Sequence, residues 1–277
     1  MTDPLGDGLS RRRMLGAGLT AAGTLLLAGG STARARRAAP PSAADAPPPP
    51  APPPSASPSP TPKGPLPVQQ RAVSTLEQYR LAVPGPAFPA NAIALTIDDG
   101  PHPVWTPKVL RLLEQYHVPA LFCLIGNQVL GHEDVAVSIV RAGHQVANHT
   151  WSHPTSLDQQ PADQVRTQLH RAQDKIYSAT SSTPVVFRSP GGAWSPGVFA
   201  EAAQARMVPL GWTEDPRDWT KPGVGAITNR LLASRPGEIL LCHDGGGDRS
   251  QTCAALSTVI PALQARGYQF VALDGSF

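Results

Sequence analysis

Two histidines four residues apart, His149 and His153, and two adjacent carboxylates, Asp98 and Asp99, are the residues here best suited to chemistry. Within His149-Thr150-Trp151-Ser152-His153, the spacing puts both imidazoles on one side of a helical turn, where they can bind one ion. A histidine pair alone is weak ground, because core and surface histidines outnumber ligands. A carboxylate strengthens it, since two histidines and one carboxylate leave coordination positions for water and substrate. Thr96-Ile97-Asp98-Asp99-Gly100-Pro101 offers two such groups. Adjacent carboxylates repel and their side chains diverge, so one can go to the metal and the other can stand beside a water. A metal lowers the pKa of its water and a neighbouring carboxylate takes the proton. That division of labour gives a hydrolytic nucleophile without serine or cysteine. Asp-Gly-Pro is also a plain turn signal.

These groups need elements to hold them. From Asn91 short apolar runs alternate with amphipathic stretches. Strands are predicted at Ile93–Thr96, Ala120–Ile125, Gln145–Ala147, Val185–Phe187, Val208–Gly211, Ile239–Cys242 and Gln269–Leu273. Helices are predicted at Thr106–Tyr116, at Glu133–Ala142 closed by Gly143, and from Pro161 onward through Val165, Leu169, Ala172 and Ile176. Others follow at Pro196–Ala205, around Val224, Ile227 and Leu231, and from Thr252 to Arg266 with Ser250 as cap. About seven strands with helices between them predict a mostly parallel α/β domain, a barrel or a doubly wound sheet.

The polar clusters fall just after predicted strands. Asp98-Asp99 follows the first, His149 and His153 the third, Arg188 the fourth, and Asp218-Trp219 the fifth, while His243-Asp244 ends the sixth. In parallel α/β folds the carboxyl ends of the strands meet on one face, where active sites form. The Gly-rich stretch His243-Asp244-Gly245-Gly246-Gly247-Asp248 lacks a Walker lysine and reads as a flexible connection that brings His243 to the site. His102 lies near the groove, and His117, His132, His144 and His170 are read as solvent-facing or capping.

Five segments together carry a family resemblance. Thr96-Ile97-Asp98-Asp99-Gly100, His149-x-x-x-His153, Arg188-Ser189-Pro190-Gly191-Gly192, Asp218-Trp219 and Leu241-Cys242-His243 resemble the ordered motifs of NodB-type polysaccharide deacetylases, carbohydrate esterase family four. The resemblance spans about residues 91–274. It implies a distorted (β/α) barrel of about seven parallel strands and hydrolysis of N-acetyl or O-acetyl groups on sugars. It further implies that Asp99, His149 and His153 hold a divalent metal, usually zinc, although such a site accepts several divalent ions. By the same resemblance Asp98 is the general base, and Arg188 pairs with it to hold its orientation and charge. His243 is the general acid, supported by Asp218, and Leu241 and Trp219 line the acetyl pocket. A backbone N–H near Gly191 helps to stabilise the oxyanion. Two positions depart from the family. Ile97 replaces a Phe, and Gly191 replaces a Tyr that would form a groove wall. Trp194 either supplies that wall, where a sugar face can stack on indole, or belongs to the core.

The rest of the sequence sets limits. The formal net charge is +3, and residues 1–35 hold four arginines against two aspartates, so the remainder carries only +1 and gives no case for nucleic acid. Three cysteines, Cys123, Cys242 and Cys253, are too few for a disulfide framework and lack C-x-x-C spacing. Cys123 reads as a buried thiol, whereas Cys242 and Cys253 are either paired or inert. Ser10-Arg11-Arg12-Arg13-Met14-Leu15 has a twin-arginine pattern before a short apolar stretch, so residues 1–35 read as an export signal, cleaved or retained as an anchor. Residues 36–67 read as a disordered linker, since 14 of the 28 residues from 40 to 67 are proline. Residues 68–277 are the expected enzyme domain, a monomer without a membrane span, exported to the exterior or the wall. Expected substrates are peptidoglycan, chitin oligomers or acetylated xylan. A glycan-binding relic of the same fold is the main rival. An iron oxygenase usually takes its ligands as a close His-x-Asp pair with a distant His, unlike the order Asp, then His-x-x-x-His here, and the Gly-x-Ser-x-Gly elbow of a serine hydrolase is absent.

Overall fold

The computed structural model describes residues 64–273, so the expected signal, most of the linker and the last four residues lie outside the described residues. Helix α1 (Leu76–Ala82) precedes β1 (Ala92–Asp98), and α2 (Trp105–Tyr116) leads to β2 (Leu121–Leu124). Short α3 (Gly126–Val129) and α4 (Glu133–Arg141) come before β3 (Gln145–Asn148), and long α5 (Ala162–Thr180) before β4 (Val186–Phe187). Then come α6 (Pro196–Gln204), β5 (Val208–Pro209), α7 (Val224–Leu232), β6 (Ile239–His243), α8 (Ser250–Ala265) and β7 (Gln269–Phe270).

The pairings between these strands are all parallel, in the order β5-β4-β3-β2-β1-β6, with β7 against the start of β1. Every residue of β1 is buried, as expected of a central strand covered on both faces. Its partner β6 is set in register so that Asp98 stands beside His243. The open side between β5 and β6 is spanned by single bridges, Val73 to Leu210, Thr75 to Glu238 and Glu214 to Leu240. The barrel is therefore distorted, closed there by extended loop segments instead of full strands. One core cluster lies between β1, β2, β6 and helices α2, α7 and α8, and a second packs the interior of the sheet against α1. No helix among the described residues is long and apolar enough to cross a membrane.

Several local expectations change. Ser250 is the first helical residue of α8, not its cap; Arg249 holds the cap position, and Asp248 Oδ1 accepts from the Ser250 N–H at 2.9 Å. His102 lies just before α2, whose cap position Val104 holds, and its Nδ1 accepts from the N–H groups of Val104 and Trp105 at 3.1 and 3.3 Å. His144, read as solvent-facing or capping, is buried against Phe122 with ring centroids 5.6 Å apart. All three cysteines are free thiols.

Candidate active site

The carboxyl ends of β1, β3, β4 and β6 open onto one cleft of about 470 Å³. Its lining includes Asp98, Asp99, His149, His153, Gly191, Trp219, Leu241 and His243. Asp98 closes β1, and Asp99 follows in the left-handed region at φ 74°. This turn is held from outside. The Asp244 N–H donates to the Asp98 carbonyl at 3.0 Å, and a Cβ on Gly245 would stand 2.0 Å from the Asp99 carbonyl oxygen. Only glycine fits there. The Gly-rich stretch expected to be a flexible connection is therefore packed against the first motif, and its glycines permit that close approach.

Asp99, His149 and His153 can each direct one ligand atom to a common point, with all three atoms within 4.8 Å of one another. The histidine spacing does not work through a helical turn as expected. Residues 149–154 form a loop in which Thr150 and His153 both take positive φ, at 66° and 58°. His149 Nδ1 lies 2.8 Å from the Arg188 carbonyl oxygen, which fixes the tautomer with Nε2 free as a ligand. Asp99 Oδ1 is buried without a hydrogen-bond partner, 3.5 and 3.2 Å from the two Nε2 atoms. An orphaned carboxylate oxygen facing two imidazole nitrogens suits a divalent cation. Burial opposes the charge on Asp99, but the neighbouring His149, His243 and His153 imidazoles outweigh it and lower its pKa. Burial also pushes His153 down. For His149 the facing carboxylates outweigh burial and push it up.

Two ion pairs flank this cluster. Arg188, at the end of β4, is fully buried and donates from Nη1 to Asp98 Oδ1 at 2.7 Å and to Thr96 Oγ1 at 2.8 Å. Its Nη2 donates to the Gly211 carbonyl at 2.9 Å. Across the cleft, His243 Nδ1 meets Asp218 Oδ1 at 2.7 Å, and Asp218 Oδ2 accepts from the His243 N–H and from Thr252 Oγ1. Burial disfavours the imidazolium, yet the Asp218 carboxylate overcomes that and pushes His243 up to about 9. Asp218 is lowered in return, against its own burial.

The remaining expectations divide. Trp219 stands in a short 3-10 turn, Asp218–Thr220, with its side chain 48% exposed at the cleft mouth, while Leu241 forms its floor. Gly191 takes φ 60° with open space where a Cβ would point, and among the described residues its N–H donates to no protein acceptor. Trp194 is corrected. Its ring stacks on Phe199 at 5.1 Å and meets Phe187 edge-on at 5.6 Å, so it belongs to the α6 packing and does not line the cleft. Trp212 supplies the cleft's second indole. It lies beneath Gly192, where a Cβ would stand 3.2 Å from its ring. The sequence pattern did not single out Asp215 and Arg249, which line the cleft, and it placed Asp244 at a strand end without a role; that residue is fully buried. Burial pushes Asp244 up to about 7. The run of glycines beside His243 was the available signal for a close packing of two loops.

The family model described as polysaccharide deacetylase matches residues 86–210. A peptidoglycan-N-acetylglucosamine deacetylase of Bacillus cereus is 39% identical over 188 residues, covering 66% of this chain and 86% of that protein. A chitooligosaccharide deacetylase of a Bradyrhizobium species is 42% identical over 192 residues, covering 65% and 87%. Among solved structures, a peptidoglycan N-acetylglucosamine deacetylase in complex with an N-oxidanyl-benzamide compound superposes with a TM-score of 0.65 at 32% identity. That match covers 68% of this chain and 90% of the other.

Proposed function

This chain belongs to the polysaccharide deacetylase family, as a hydrolase of carbon–nitrogen bonds other than peptide bonds, and we propose that it removes acetyl groups from N-acetylglucosamine units of an exported or wall glycan. The observation that carries the reading is the meeting of three devices in one cleft. They are the Asp99–His149–His153 cluster, the Asp98–Arg188 pair and the His243–Asp218 pair.

Asp99, His149 and His153 would hold a divalent metal, zinc being the first candidate for an N₂O ligand set. When bound, such an ion supplies Lewis-acid activation of water and of the acyl oxygen. The protein's own groups do the rest. Asp98 lies on the cleft wall with one oxygen tied to Arg188, which leaves Oδ2 on the His149 side to accept a proton from the attacking water. Negative charge developing on the acetyl oxygen meets the Gly191 N–H, which no protein acceptor consumes. His243, held protonated by Asp218, gives its Nε2 proton to the departing amine. An amine leaves only when protonated, and an imidazolium held charged by Asp218 suits that step. Leu241 bounds the acetyl methyl and Trp219 offers a face to the sugar. A mere glycan binder would need neither proton-transfer pair.

The twin-arginine pattern at residues 10–15 supports export, and the protein is proposed to act as a monomer outside the membrane. Acetate release from N-acetylchitotetraose and from peptidoglycan glycan strands tests the activity. Release is expected with zinc and is expected to stop on chelation. No release from either substrate after reconstitution with zinc, or release unaffected by chelator, would sink the reading.

A further inference from the structure

Arg249 is a cleft residue that the proposed chemistry leaves unused. Its side chain belongs to a residue only 4% exposed, and Nε donates to the Gly245 carbonyl at 2.6 Å. The carboxylate pairs of lysine and arginine among the described residues involve Arg166, Lys175, Arg188 and Arg230, so Arg249 has no carboxylate within 4.0 Å. Its Nη atoms make no hydrogen bond to the protein, yet they are not among the fully buried unpaired atoms. They therefore open onto the cleft that the residue lines. Gly246, at φ 70°, lies between this cation and the metal cluster. A Cβ there would stand 3.2 Å from Arg249 Nη2 and 2.9 Å from Asp99 Oδ2.

Arg188 is equally buried but carries its own counterion. A guanidinium held out of bulk water without one is costly unless a ligand provides it. Its planar fork matches a carboxylate, which it can take in two parallel hydrogen bonds. Asp215 lines the same cleft but is not within ion-pair distance, and its Oδ1 accepts from the Arg217 N–H at 2.7 Å.

We propose that Arg249 is a specificity-determining residue that binds a carboxylate carried by the glycan next to the acetamido sugar, so that the site favours anionic over neutral polymers. The proposal rests on the deacetylase reading and narrows it. Chitin offers no such group, whereas peptidoglycan offers two: the lactyl carboxylate of strands stripped of peptide, and the carboxylates of the peptide stems.

The test compares zinc-loaded wild-type protein and Arg249→Gln on three pairs of probes. The first pair is stem-free glycan strands with free lactyl carboxylates and the same strands with those groups converted to amides. The second is stem-bearing strands before and after amidation. N-acetylchitotetraose and its reduced form serve as a neutral control pair. Expected for wild type is a kcat/KM about tenfold higher on the free acid than on the amide, carried by KM. In Arg249→Gln that ratio falls to about one. The ratio is taken within each protein, so partial loss of folded enzyme does not move it, and the pair that shows the ratio identifies the source of the carboxylate. A wild-type ratio near one on both glycan pairs would overturn the inference while leaving deacetylation intact. So would a ratio that persists in Arg249→Gln, which would leave Arg249 only its structural bond to Gly245. Absence of acetate from every probe would instead fail the deacetylase reading itself.

Discussion

The two buried ion pairs of the cleft are built from similar parts in opposite order. In one, the carboxylate of Asp98 faces the cleft and the cation of Arg188 lies behind it; in the other, the cation of His243 faces the cleft and the carboxylate of Asp218 lies behind it. Arginine cannot lose its proton, so the first pair presents a group that only accepts one. Histidine can, and a carboxylate behind it keeps the proton available at neutral pH without removing it. Which member faces the substrate, and whether the cation titrates, separates a base from an acid.

The largest effect should come from breaking the first pair. Asp98→Asn keeps the shape and an acceptor for Arg188 but cannot take a proton, so kcat/KM should fall by about 10²–10⁴-fold. Metal analysis should show the ion retained in Asp98→Asn and lost in Asp99→Asn. The reverse result would exchange the roles of the two aspartates. Breaking the second pair should displace a pH profile. Without a metal His243 has a raised pKa of about 9, so the proposed proton donor is charged below that value and loses its proton above it. Asp218→Asn removes the main cause, and the alkaline limb of kcat/KM should move down by about one unit or more. A bound divalent ion lowers both profiles by its own charge, so the displacement between the two is what is read. Equal alkaline limbs would detach Asp218 from the acid. Linkage has the same sign. Stability from this pair is complete below the ordinary histidine value of 6.5 and is lost as pH rises through about 9. The smallest effect should come from Trp219→Ala, which touches neither pair. Loss of an exposed stacking face predicts a rise in KM of about 2–10-fold, with a smaller change in kcat. A larger fall in kcat than rise in KM would place Trp219 nearer the reacting atoms.

Much of this was legible in the sequence because parallel α/β chains write their strands as short apolar runs. The polar residues that end those runs are then forced onto one rim. Asp98, Arg188 and His243 could be placed together on that ground alone, and β1 and β6 do set Asp98 beside His243. The closure of the barrel was not legible. Val73, Thr75 and Glu214 contribute single bridges, too short to leave a periodic pattern. Trp194 and Trp212 show the same limit. Two indoles near one motif look alike in sequence, and only the stacking of Trp194 on Phe199 decides which one faces the cleft.

The opening pair of histidines marks the boundary most clearly. Residue type alone determined that His149, His153 and an aspartate could hold one ion, because imidazole nitrogen and carboxylate oxygen are the donors such an ion takes. How they converge was decided by tertiary structure. The loop that carries the histidines turns through left-handed Thr150 and His153 instead of a helix, and the Asp98-Asp99 turn is held by the Asp244 N–H on the Asp98 carbonyl, with Gly245 packed against Asp99, both from a distant chain segment. Local spacing sets which side chains are available. Strained backbone such as that of Asp99 is sustained only by contacts that the fold brings from elsewhere.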